Sequence, residues 1–256
     1  MNQEILFLSP FEINKESSPS ELVKQDYRTA DVFNKYGIEY CCGGRWPIHM
    51  VCATKNISLD ILLKDLAKVT RTLQLSTSLP FHDWSIDFLT GYLVNVHHSY
   101  LRHALPVLAE TLHHFAEEHA DKYPYYRAIS LHLHELKEEM LAHLKQEEEV
   151  IFPYARQVAR AHEGKESFGA LLVRTLRKPV AVIMDHDHEI LVKTIYKFRE
   201  LTDNYTPPQQ ACPTHHVVLS RLKELDNDLV QHIHLENEIL FPRVISMEKE
   251  LLEVKE

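Results

Sequence analysis

The sequence predicts an all-α protein, a four-helix up-and-down bundle preceded by a small helical domain. Three observations carry that prediction. Apolar residues recur at three- and four-residue spacing along four long segments. No stretch shows the period-two alternation of a strand. An eleven-residue segment also occurs twice, as His143-Leu-Lys-Gln-Glu147-Glu-Glu-Val-Ile-Phe-Pro153 and as His232-Ile-His-Leu-Glu236-Asn-Glu-Ile-Leu-Phe-Pro242. His98 lies 45 residues before His143, and His188 lies 44 before His232, a spacing that suits two helical hairpins.

Taken in order, residues 1–20 form a polar tail in which Ser17-Ser18-Pro19-Ser20 supplies a cap for a following helix. Residues 21–70 form a compact unit with helical patterns over Leu22 to Gln25, Ala30 to Tyr36 and Leu59 to Val69, and Gly37 ends the second of these. Between them, Tyr40-Cys41-Cys42-Gly43-Gly44 is a tight turn whose glycines permit close backbone approach or positive φ. About fifty residues make a marginal core, so this unit is expected to lean on another surface. Residues 71–84 are the linker and residues 85–256 the bundle. Ser85 caps a helix from Ile86 to Ala116 with a kink at Pro106, and a second helix, interrupted at Pro153, runs from Tyr125 to Arg160. The third runs from Pro179 to Asp203, and the fourth from Thr214 to Glu250 with a bend at Pro242.

A chain of 256 residues can bury a core of real size. The net charge of -9, with no basic patch, argues against a nucleic-acid partner. No run approaches the ~20 apolar residues of a membrane helix, and the N-terminus lacks a signal-sequence pattern. Four cysteines, two of them adjacent, do not form a secreted disulfide framework. The expected location is the cytoplasm. Eighteen histidines are a compositional hint of metal.

Residues four apart on a helix share a face, so each repeat aims one imidazole and one carboxylate the same way. A lone His on an apolar helix face is more often a packed core residue; two His-x-x-x-Glu pairs in matching contexts, each with a His one helix earlier, reverse that balance. The rival pair His97 and His186 lies 46 residues before each repeat. Helix faces choose between them: His98 continues the stripe Val94, Leu101, Leu105, Leu108, and His188 shares one with Met184, Leu191 and Ile195, whereas His186 has Glu189 and Lys193 beside it. The candidate ligands are therefore His98, His143, Glu147, His188, His232 and Glu236. Six such donors exceed one tetrahedral zinc and suit two adjacent ions that keep sites for a bridging oxide or hydroxide and an exogenous ligand. Nitrogen and carboxylate donors without thiolate are compatible with iron, manganese or zinc, and vacant sites on a nitrogen-rich pair favour iron. Glu139 and Asp187 are weighed as orienting groups beside His143 and His188.

These residues resemble the iron–sulfur cluster repair family of di-iron proteins, whose long domain is hemerythrin-like. Asp31-Val-Phe-Asn-Lys-Tyr-Gly-Ile-Glu-Tyr-Cys-Cys-Gly-Gly44 looks like the family's short N-terminal (ScdA-N-like) domain, and the paired His-x-x-x-Glu and Phe-Pro segments match its ligand pattern from residue 21 to about residue 250. Arg45-Trp46-Pro47 departs from it where a helical start is expected. The resemblance implies two non-haem iron ions per chain and repair of iron–sulfur proteins damaged by nitrosative or oxidative stress. It also implies redox or iron-relay roles for Cys41 and Cys42, and nitric oxide or oxygen as small ligands. An oxygen- or nitric oxide-binding hemerythrin-like module is the alternative. Whether the protein is an enzyme, and whether it forms a homodimer, stay open.

Overall fold

The computed structural model describes residues 11–41, 44–70, 79–164, 171, 173 and 180–253, and of residues 180–189 the backbone alone. All regular elements among them are helical and none is a strand, as expected. The chain divides into two compact units, Met1–Ser78 with Tyr205–Arg221, and Leu79–Asn204 with Leu222–Glu256.

The first unit holds α1 (Pro19–Gln25), α2 (Thr29–Lys35), α3 (Ile48–Lys55) and α4 (Leu59–Val69). Ser18 caps α1 by accepting from the Glu21 N–H and donating its hydroxyl to the Glu21 carboxylate, and Pro19 follows at a position that needs no N–H donor. Gly37 closes α2 at φ +60°, and the Ile38 N–H then reaches back to the Phe33 carbonyl at 2.8 Å. The helix α3 was not expected. Its two buried anchors, Ile48 and Cys52, lie four residues apart, and Asn56 ends it in the left-handed region. Leu22, Phe33, Ile38, Ile48, Leu62 and Leu66 form the core, and Val217 from the later segment completes it. The surface on which this small unit leans is thus supplied by the same chain.

The second unit carries the bundle, apart from residues 213–221 at the start of its fourth helix, which group with the first unit. Its first helix is built from α5 (Ile86–Tyr92), a π-helical segment at Leu93–His98, and α6 (Ser99–Glu118). The second is α7 (Tyr126–Gln146), a π segment at Glu147–Ile151, and α8 (Phe152–His162). The third is α9 (Val180–Leu201). The fourth is α10 (Pro213–His234), a π segment at Leu235–Leu240, and α11 (Phe241–Glu253). Ser85 caps α5 through the Phe88 N–H, as read from the sequence. Leu101, Leu105, Leu108 and Leu112 of α6 and Leu133, Leu136, Met140 and Leu144 of α7 are buried at helical spacing, and the two helices pack together. Phe81 and Trp84, read as linker, pack against this unit's core, with ring centroids 4.8 Å apart.

The helix interruptions differ from those expected at the prolines. The helix α6 continues through Pro106 as regular α-helix. In the second and fourth helices the irregularity precedes the proline. Pro153 has no N–H and its ring presses on the carbonyl four residues back, so the helix widens before it. The Phe152 N–H bonds to the Glu147 carbonyl and the Phe241 N–H to the Glu236 carbonyl, both five residues back. Ser99 does the same to Val94 in the first helix. Single π turns of this kind recur at functional sites, and each of these three holds a candidate metal ligand.

Candidate metal centre

The π segments set the site. His98 ends the first, Glu147 opens the second, and Glu236 lies in the third, with His232 one turn earlier. One ligand atom from each of His98, Glu147, His232 and Glu236 can be chosen so that all lie within 4.8 Å of one another, and all four residues are buried. His143 joins them through Nε2, 2.9 Å from Glu147 Oε1. His98 Nε2 stands 3.4 Å from Glu147 Oε2, and His232 Nε2 3.1 Å from Glu236 Oε1. His188 lies in α9, but its side chain falls outside the described residues.

Several of the polar atoms are left unsatisfied. His98 Nε2, both oxygens of Glu147 and both ring nitrogens of His232 are buried without a hydrogen bond. A buried polar atom left so costs about 1–3 kcal/mol, and such a cost on several converging lone pairs fits a site made for cations. Neutral imidazoles and carboxylates are the donors that divalent iron, manganese or zinc accept. The charge balance of the buried cluster carries the same strain. Burial, and then the charge of His232, lower His98 to about 4, which leaves it a neutral ligand. Burial, and then Glu236, push Glu147 up to about 7. Burial opposes a charge on His232, but Glu236 and Glu147 raise it to about 9.

Comparison with known proteins decides the family. The hemerythrin HHE cation binding domain matches residues 92–244, more than half of the chain. The ScdA_N family, described as a domain of unknown function, matches residues 16–70. Curated relatives named iron-sulfur cluster repair protein YtfE match nearly end to end. That of Enterobacter sp. (strain 638) is 30% identical over 231 residues, 89% of this chain and 96% of its own. That of Edwardsiella ictaluri (strain 93-146) is 31% identical over 85% of this chain and 91% of its own. That of Escherichia coli O81 (strain ED1a) is 29% identical over 89% and 96%. The chain belongs to the YtfE family of iron–sulfur cluster repair proteins.

The hemerythrin match in this YtfE-family chain encloses all six candidate ligands, and the ScdA_N match encloses Cys41 and Cys42. Cys41 is half-buried, while Cys42 lies outside the described residues. Two carboxylates that orient histidines at the site were missed in the sequence. Glu148 Oε1 accepts from His98 Nδ1 at 2.8 Å, and its other oxygen takes Arg102 at 2.8 Å. That bond places the His98 proton on Nδ1 and turns the Nε2 lone pair inward. Asp228 does the same for His97 at 2.9 Å, and the His97 ring stacks on His232 with centroids 5.9 Å apart. His98 is in the cluster of donors, and His97 is fully buried beside it. The repeated phenylalanine has a use too: Phe152 stacks on His98 at 5.5 Å. The second repeated glutamates, Glu149 and Glu238, are exposed. Glu139 lines a cleft of about 270 Å³ with His143, Gln146, Ile190 and Leu191, and the side chain of Asp187 is not described. Among the described residues no helix is long and apolar enough to cross a membrane.

Proposed function

We propose that this chain restores iron–sulfur clusters damaged by nitrosative or oxidative stress, donating iron from a pair of non-haem ions held in the bundle. The residues that would hold the ions in this reading are His98, His143, Glu147, His188, His232 and Glu236, the two carboxylates supplying the anionic donors. The observation that supports it most is the convergence of four buried imidazole and carboxylate side chains, His98, Glu147, His232 and Glu236, within 4.8 Å, in a family whose curated members carry the repair name. When bound, the ions supply both the cargo and open positions for nitric oxide or oxygen. The protein's own residues do the rest. Glu148 fixes the tautomer of His98, apolar walls exclude bulk water, and the cleft beside His143 is the route for a small ligand or an exchanging ion.

In this reading residues 21–70 are a thiol module and residues 85–256 the metal bundle. Cys41 and Cys42 receive iron or electrons on the way to a client. Thiols of this kind suit a reducing cytoplasm. Binding of oxygen or nitric oxide alone is a second reading, favoured by the cleft, but it leaves the thiol module without a use. The test is reactivation of a purified iron–sulfur hydro-lyase inactivated with nitric oxide. Iron-loaded protein restores activity, whereas Cys41→Ser/Cys42→Ser keeps its iron and its optical spectrum but does not. Repair by the double variant at the wild-type rate assigns the function to the bundle alone.

A further inference from the structure

The cysteine turn has a partner that neither its motif nor the metal centre uses. Residues 205–221 belong to the same compact unit as the turn. Val217 is buried among Leu22, Ala30, Phe33 and Ile38, and Arg221 pairs with Asp31. This seats the first turns of α10 against the small unit. Cys212 stands immediately before Pro213, the first residue of α10, and its carbonyl accepts from the His216 N–H at 3.2 Å. Its sulfur accepts from the N–H groups of Thr214 and His215, so Cys212 is the helix cap. The Cys41 and Cys212 side chains lie within hydrogen-bonding contact of each other, and both are half-buried rather than sealed.

The turn holds Cys41 in that place. A Cβ on Gly44 would sit 2.5 Å from the Tyr40 backbone, so the residues on either side of the turn approach closely. The Ser20 N–H then pins the turn through the Gly44 carbonyl at 2.9 Å.

We propose that Cys41 and Cys212 are a redox pair, a dithiol that a low-molecular-weight disulfide converts into an intramolecular Cys41–Cys212 disulfide. The Cys41 thiolate attacks one sulfur of the small disulfide, whose S–S bond breaks and releases one thiolate. The Cys212 sulfur then gives up its proton and attacks Cys41 in the mixed disulfide, expelling the second small thiolate. Two protein S–H bonds become one S–S bond. The two electrons and two protons go to the small disulfide, which leaves as two thiols. Burial, followed by the neighbouring Cys41 sulfur, pushes the Cys212 thiol up, although the His215 and Thr214 N–H groups pull the other way. Burial therefore keeps the proton on Cys212 at first, and Cys212 acts as the resolving thiol. The helix N-terminus then steadies the Cys212 thiolate as it resolves the intermediate. Closing the bond withdraws Cys41 from any exchange of iron. The linkage is read on the thiols themselves, so its test does not depend on the metal ligands.

Reduced full-length protein is incubated with oxidised glutathione, alkylated, digested, and mapped by mass spectrometry. The expected product is a Cys41–Cys212 linked peptide, with Cys52, which is 2% exposed, alkylated only after unfolding. Cys42→Ser retains the link. Cys212→Ser, whose serine still caps the helix, loses it. A dominant Cys41–Cys42 or Cys42–Cys212 link in the wild type, or a wild type that stops at the glutathione adduct, overturns the proposal. The deciding readout is the wild-type linkage, so it holds whatever the variants do to folding.

Discussion

Removing the Glu148 carboxylate is expected to weaken metal binding while leaving the bundle folded. In the native chain Glu148 bridges His98 Nδ1 and Arg102, each at 2.8 Å, and its side chain is 25% exposed. Its partial burial opposes ionisation, but Arg102 and His98 hold the carboxyl below its usual range. In Glu148→Ala the fully buried His98 ring loses its acceptor and is no longer held in the tautomer that points Nε2 at the site. Losses of this kind lower metal affinity about 10- to 100-fold, which is roughly 1.4–2.7 kcal/mol. Glu148→Gln keeps an oxygen for His98 but loses the charge and the Arg102 pair, so its loss should stay under about tenfold. The assay is anaerobic competition for ferrous iron against a chromophoric chelator, with urea unfolding of the metal-free proteins as a control. Equal affinity in Glu148→Ala and wild type would refute the orienting role. So would a metal loss fully matched by a fall in metal-free stability.

Three further outcomes follow from the same geometry. To take a metal, His232 at about 9 and Glu147 at about 7 must both shed protons; the affinity of the metal-free protein should therefore fall about tenfold per pH unit below 9 and more steeply below 7, and a pH-independent affinity between 6 and 9 contradicts this. His188→Ala should lower the metal content and His186→Ala should not, read by elemental analysis; the reverse pattern shows that the helix-face choice took the wrong register. Gly44→Ala forces a Cβ to within 2.5 Å of the Tyr40 backbone and should cost the small unit about 2 kcal/mol or more, seen as an earlier urea transition.

Much of the fold was legible because the bundle helices carry long apolar stripes. Leu101, Leu105, Leu108 and Leu112 repeat at helical spacing, and Ser85 and Gly37 are end signals with a backbone cause. Helix α3 was missed because eight residues with two anchors barely register a period. The π turns are less visible still. A shift from four to five residues in hydrogen bonding changes no composition, and its only trace is a proline two residues beyond the end of the π segment in the second and fourth helices. At the site, Glu147 and His232 announced themselves through an internal repeat. Glu148 and Asp228 did not, since their partners lie 50 and 131 residues away in the chain. The same holds for Cys212: nothing local in the loop before α10 distinguishes a thiol that caps a helix beside Cys41. The grouping of residues 205–221 with the small unit depends on Val217 and Arg221, which read equally well as part of the bundle's fourth helix.

The iron content of the chain is the most direct test of the metal centre. Protein prepared anaerobically without added metal, analysed by elemental mass spectrometry, should hold about two irons per chain, because six donors on four helices suit a shared pair rather than a single ion. Glu147→Ala and Glu236→Ala should each hold close to none. One zinc with no iron in the wild type, or wild-type iron in both variants, contradicts the di-iron account.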